Sequence, residues 1–140
     1  MVDTERLARL LDSMATELAV LAQLAERGDD QLLADPMLIR AIKYAFVVSI
    51  EAAIDVAEHV IASEGHRVPE SFADAFTVLE EAGLIDGELA QAMEDAARFR
   101  NLLVHGYADV DDTRVLEILR TGPADLRRYR SVIAAAVSGG

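Results

Sequence analysis

Residues 35–65, DPMLIRAIKYAFVVSIEAAIDVAEHVIASEG, decide the fold. Asp35 is a capping residue, and Pro36 suits the first helical turn, where its missing N–H has no partner to lose, so a helix starts here. Ile39, Ile42, Phe46, Ile50, Ile54, Ala57 and Ile61 then recur at three- and four-residue steps until Gly65, a spacing that keeps them on one helical face. The pattern predicts a helix of about thirty residues. Val47, Val48 and Val56 carry apolar character past that face, which places the helix at the centre of a bundle or in a dimer contact.

The flanking sequence is punctuated in the same way. Asp3 or Thr4 caps a first helix, in which Leu7, Leu11, Met14, Leu18 and Leu21 follow a seven-residue rhythm that stops by Gly28. Pro69 opens a shorter helix through Phe72, Phe76 and Leu79, closed by Gly83 with Leu84 and Ile85 as the hydrophobic step after the cap. Asp86 caps the next, which carries Leu89, Met93, Ala96 or Ala97, Leu102 and Leu103 and ends at Gly106. Asp111 or Asp112 starts another through Val115, Leu116 and Leu119 to Gly122, and Pro123 begins the last, with Leu126, Tyr129 and Ile133. No alternating strand pattern competes. The expected fold is all-α: an antiparallel helical bundle of five to six helices forming a single domain over residues 1–140.

Composition sets outer bounds on function. The chain has no cysteine, so a disulfide framework and a thiolate metal site are both excluded. Its apolar runs fall short of the roughly 20 residues that span a bilayer, and MVDTERLARL alternates acid and base where a signal peptide needs an apolar core, so a cytoplasmic protein without membrane contact is expected. The net charge of −12 opposes broad non-specific binding to nucleic acid. Its distribution is uneven: residues 98–130 hold seven arginines against five acids, a local +2, and the rest carries −14. An anionic ligand should therefore meet the C-terminal third.

That third contains RNLLVHGY, residues 100–107. On an ideal helix, residues five apart lie about 140° apart in projection, so Arg100 and His105 share a face only if the helix ends or unwinds near Val104. An imidazole can move a proton at neutral pH, and a guanidinium fork matches two phosphate oxygens. Together they suit cleavage of RNA, whose 2′-hydroxyl is a built-in nucleophile, with no metal and no cofactor. One such pair supplies a single proton-transfer group, so a second copy related by two-fold symmetry would complete the set. The same residues also read as an ordinary helix end, with Arg100 paired to Glu94 or Asp95 and His105 meeting the helix dipole.

Residues 37–130, about two-thirds of the chain, resemble the HEPN superfamily and its HepT-like toxin branch. The resemblance rests on KYAFVVSIEAAIDVAEHVIA, GHRVPESFADAFTVLEEAGLI and FRNLLVHGYADVD, in that order. The family signature is arginine, four residues, histidine, any residue, tyrosine; it falls on Arg100, His105 and Tyr107, with Asn101 as the polar residue after the arginine. The resemblance implies a HEPN-like homodimer, able to join a larger hetero-oligomer, that acts as a metal-independent ribonuclease toxin with Arg100 and His105 catalytic. It also implies a minimal nucleotidyltransferase antitoxin that attaches AMP to Tyr107. A bulky anionic nucleotide beside Arg100 would occupy the phosphate site and repel RNA.

Other polar groups are weaker candidates. Glu51, Asp55 and His59 form one stripe at helical spacing. They read as a cleft-lining network rather than a metal site, with Glu51 or Asp55 as supporting groups that orient His105 or Arg100. His66 reads as a surface residue, and Arg127, Arg128 and Arg130 as a solvated basic face. The competing function is a non-catalytic helical subunit that docks a nucleotidyltransferase or a nucleotide, which the net acidity motivates.

Overall fold

The computed structural model describes residues 2–106 and 110–138. Six helices and no strand occur among them: α1 (Thr4–Leu24), α2 (Asp29–Leu33), α3 (Pro36–Ser63), α4 (Phe72–Glu81), α5 (Gly87–His105) and α6 (Asp112–Ser138). None is long and apolar enough to cross a membrane. The long helix is central: α3 packs against every other helix and buries Ile39, Ile42, Phe46, Ile50, Ile54 and Ile61.

The expected caps hold the ends. Asp3 accepts from the Arg6 amide, Asp35 from Met37 and Asp86 from Leu89, each satisfying a donor that the first turn would otherwise leave free. Gly65 and Gly83 close α3 and α4 with φ of 72° and 78°, and the amides just beyond them, of His66 and Leu84, reach back to Ile61 and Leu79 at 3.0 Å.

Three features depart from the sequence reading. The short α2 was not expected; only Leu32 of its residues is buried, too little to give a periodic signal. α4 starts at Phe72 rather than Pro69, because Ser71 caps it by accepting from the Asp74 amide at 3.0 Å. Arg67 then ties the preceding loop down, donating to both Asp74 oxygens and to Glu81.

The largest departure is α6, which runs unbroken through Gly122 and Pro123. An interior proline costs about 3 kcal/mol, because it lacks the amide and crowds the preceding turn. Tertiary contacts offset that cost. Leu119, Pro123, Leu126 and Tyr129 are buried together, and the Tyr129 hydroxyl donates to the Ala53 carbonyl of α3 at 2.8 Å. Arg120 binds the carbonyls of Ala25 and Arg27 and the Asp29 carboxylate, joining α6 to the α1–α2 turn. Edge-on ring pairs, Phe46 with Phe99 and Phe76 with Tyr129, lock α3 to α5 and α4 to α6.

Candidate active site

α5 carries the motif. It buries Leu89, Ala90, Met93, Ala97, Phe99 and Leu103 against the bundle, which leaves Arg100, Asn101 and His105 on the flank toward α3 and the start of α4. The helix does not unwind at Val104. It stays regular through His105, and the Gly106 amide donates to the Leu102 carbonyl at 2.8 Å.

Arg100 and His105 nonetheless line one open groove of about 850 Å³, together with Ser71, Phe72, Asn101 and Leu102. Both residues therefore border one groove while α5 stays regular. A neighbouring cavity of about 690 Å³ lies across Leu102, floored by Phe46 and Phe99, and contains neither Arg100 nor His105.

The Arg100 side chain is only 15% exposed, and every bond it makes restricts it. Its Nε and Nη2 donate to Glu51 Oε1 at 3.1 and 2.8 Å, and its Nη1 donates to Asn101 Oδ1 at 3.1 Å. Its carbon lies 5.2 Å from the centre of the Phe72 ring, a cation–π distance. A guanidinium has five N–H donors, so these three bonds leave one on each Nη. Arg100 thus keeps donors for a further acceptor, and a guanidinium can match two phosphate oxygens. The ordinary helix-end pairing is absent: Asp95 pairs with Arg98, and Glu94 accepts from Thr77. His105 is exposed at the end of α5, open to a ligand in the groove.

The remaining candidates separate. Asp55 makes no hydrogen bond or ion pair with Arg100 or His105 among the described residues. Partial burial raises the Asp55 carboxyl above its ordinary range, against the nearby Arg6 cation and with a smaller push from Glu51. Glu58 is raised in the same way, by burial first and then by Asp55. His59 faces elsewhere, its Nε2 accepting from the Asp3 amide at 2.9 Å. No three metal-binding side chains converge among the described residues. Arg128 pairs with Asp86, and Arg130 donates to the Leu11 carbonyl, so two of the three basic residues of α6 serve the fold. Tyr107 lies outside the described residues. Phe72 is the residue that sequence reading misses: its spacing reads as a core position of α4, yet it is 41% exposed and lies against the guanidinium.

A family model described as Ribonuclease HepT-like matches residues 14–133, most of the bundle. The chain belongs to the HepT-like ribonuclease family. An Archaeoglobus fulgidus protein, named provisionally as an RNase, is 29% identical over 124 residues, 89% of each chain. The mRNA nuclease HepT of Shewanella oneidensis is 29% identical over 85 residues, 61% of this chain and 64% of that one. Among solved structures, the tri-AMPylated Shewanella oneidensis HEPN toxin in complex with its MNT antitoxin superposes with a TM-score of 0.87 at 24% identity, covering 96% of this chain and 99% of that one. The cytosolic protein YutE of Bacillus subtilis gives 0.86 at 17% identity, covering 99% and 92%. At such identities these two likenesses establish the HepT-like fold and nothing finer.

Proposed function

We propose that this HepT-like chain is a metal-independent endoribonuclease toxin that cuts RNA at a two-fold cleft, with Arg100 and His105 catalytic. The observation that carries the reading is an Arg100 that is anchored by Glu51 and Asn101, keeps an N–H on each Nη, and lines the same groove as His105. A scissile phosphate on that fork would present its neighbouring 2′-hydroxyl to an imidazole. As the 2′-oxygen bonds to phosphorus and the bond to the 5′-oxygen breaks, one imidazole takes the 2′-hydroxyl proton. The imidazolium of the second copy gives a proton to the departing 5′-oxygen. The products are a 2′,3′-cyclic phosphate and a free 5′-hydroxyl, and Arg100 stabilises the extra negative charge on the crowded phosphorus.

Glu51 and Asn101 act here as positioning residues that aim the fork. Regulation follows from the same chemistry: a nucleotidyltransferase antitoxin attaches AMP to Tyr107, and the added phosphates compete with RNA for Arg100. The names of the relatives support this reading, one being an mRNA nuclease and another an AMPylated toxin bound to its antitoxin.

The test is cleavage of RNA by purified protein in EDTA. Replacing His105 with alanine should lower the rate about 10²- to 10⁴-fold, the usual worth of a positioned proton-transfer group. Persistent cleavage by that variant rejects the assignment. The second reading, a binding subunit without catalysis, draws on the net charge of −12; binding of a nucleotidyltransferase or nucleotide by protein that leaves RNA intact would favour it. Intact mass after co-expression with the antitoxin should show whole AMP increments that vanish in Tyr107→Phe.

A further inference from the structure

The cavity beside the motif groove has no part in the cleavage chemistry above. It holds about 690 Å³, within the range of sites that take a small organic ligand, and Arg98 and Leu102 border both it and the groove. The two spaces are neighbours across one turn of α5. The cavity floor is apolar: Phe46 and Ile50 of α3, Phe99 of α5 and Leu126 of α6 are buried, with the two rings edge-on and 5.4 Å between centres. Such a floor suits the flat face of a nucleobase, which proteins that bind single strands hold against aromatic and apolar side chains.

The rim decides which ligand fits. Arg98 and Arg114 are exposed, and each pairs with an acid three residues away on its own helix, Asp95 and Glu117. Exposed pairs of this kind are weak, so either guanidinium can exchange its carboxylate for a phosphate. Among the rim acids, Asp95 accepts from Arg98 and Asp111 from the Thr113 amide. Asp125 differs. It lines the cavity from α6, is half-buried, and makes no hydrogen bond or ion pair among the described residues.

An ionised carboxylate offers two acceptors and no donor. The Watson–Crick edge of guanine matches it, because N1–H and the 2-amino group are adjacent donors. Adenine and cytosine set one amino group beside a bare ring nitrogen, which a carboxylate repels, and uracil flanks its single N–H with carbonyls. A wholly apolar ligand would leave Asp125 unsatisfied, and a bare anion would be repelled by it.

We propose that this cavity is a guanine subsite for the RNA. The base of a nucleotide flanking the cut lies on Phe46, Phe99 and Leu126, Asp125 accepts from its N1–H and 2-amino group, and Arg98 and Arg114 hold the adjoining phosphates. The strand reaches the Arg100 groove over Leu102, which is 55% exposed. A net charge of −12 gives little non-specific hold on RNA, so a base contact of this kind carries the selection. The choice of RNA as ligand rests on the ribonuclease reading; the fit of the cavity to guanine does not depend on His105.

Mononucleotides test the cavity apart from cleavage. In calorimetric titrations of the purified protein, 5′-GMP should bind about fivefold to a hundredfold more tightly than 5′-AMP, 5′-CMP or 5′-UMP, the usual discrimination of a two-bond base contact. Asp125→Asn turns one acceptor into a donor and so matches adenine. It should lose the guanine preference and bind 5′-AMP more tightly than the parent does, a gain that a misfolded variant cannot show. Arg114→Ala should weaken all four nucleotides alike. On a random RNA pool, the parent's cuts should carry guanine at one fixed position relative to the broken bond, and Asp125→Asn should relax that position. Equal affinities for the four nucleotides, or a guanine preference unchanged in Asp125→Asn, overturn the subsite. Guanine-selective binding with no fixed guanine at the cuts overturns RNA as its ligand. Guanine-selective binding by protein that leaves RNA intact in EDTA keeps the guanine contact and defeats the ribonuclease reading. Cleavage that depends on His105, with equal nucleotide affinities, does the reverse.

Discussion

Arg100 is a cation largely withdrawn from water, and its neighbours decide whether it can act. Glu51 supplies the countercharge, and hydrogen bonds to charged groups are worth about 1.5–3 kcal/mol, so Glu51→Ala should lower RNA cleavage about tenfold to a hundredfold. Glu51→Gln keeps an acceptor without the charge and should fall between that variant and the parent in a single-turnover assay. Phe72 lies beneath the same guanidinium. Phe72→Ala should cost about twofold to fivefold in cleavage, the worth of an exposed cation–π contact, while Phe72→Tyr stays near the parent; a fall of equal size in both variants would remove the stacking role. The arginine, histidine and asparagine were legible because their spacing is a pattern along the chain. Glu51 was legible only as one member of a stripe, since 49 residues separate it from Arg100. Phe72 was hidden because an apolar residue at the start of a helix looks the same whether it faces the core or a cation.

At the scale of the element, the flank of α5 that lines the groove depends on where the helix begins as much as on where it ends. Asp86 caps that helix and also receives Arg128 of α6 at 2.6 Å. Asp86→Ala loses both contacts and should lower stability by about 1–2 kcal/mol, whereas Asp86→Asn keeps the cap and should lose only the exposed ion pair, about 0–1 kcal/mol. Urea unfolding of the two variants separates cap from pair, and equal losses would show that the cap contributes nothing. The helix ends were readable in sequence wherever a residue type has one strong local preference, as Asp35 before Pro36 and Gly83 after α4 do. Pro123 shows the limit. Its local preference is to start a helix, and contacts with distant elements, the burial of Leu119, Leu126 and Tyr129 and the bonds of Arg120, keep α6 whole. Nothing within a few residues of Pro123 carries that information.

For the whole molecule, the acid response is a contest between two kinds of carboxylate. Asp74 is held down to about 2 from an ordinary 3.8, chiefly by the Arg67 guanidinium and also by the Glu70 amide. A lowered folded value means that the unfolded chain binds the proton first, so this contribution is complete above about pH 4 and is lost as pH falls toward 2. Asp55 and Glu58 have the opposite sign. Burial raises both, so their charged forms weaken the fold at neutral pH, and mild acid relieves them as they take up protons. The chain as a whole carries −12 at pH 7 and a pI near 4.5, so self-repulsion also fades over the same descent. Thermal melts should therefore show Tm rising from pH 7 toward mild acid and then falling below about pH 4. Asp74→Asn should lower Tm at neutral pH, and its deficit should shrink steadily between pH 4 and 2 as the parent's own Asp74 is protonated. A deficit that stays constant across that interval would mean that the Arg67 pair adds nothing through charge. The loop before α4 would then be held by the Ser71 cap and the Glu81 contact alone.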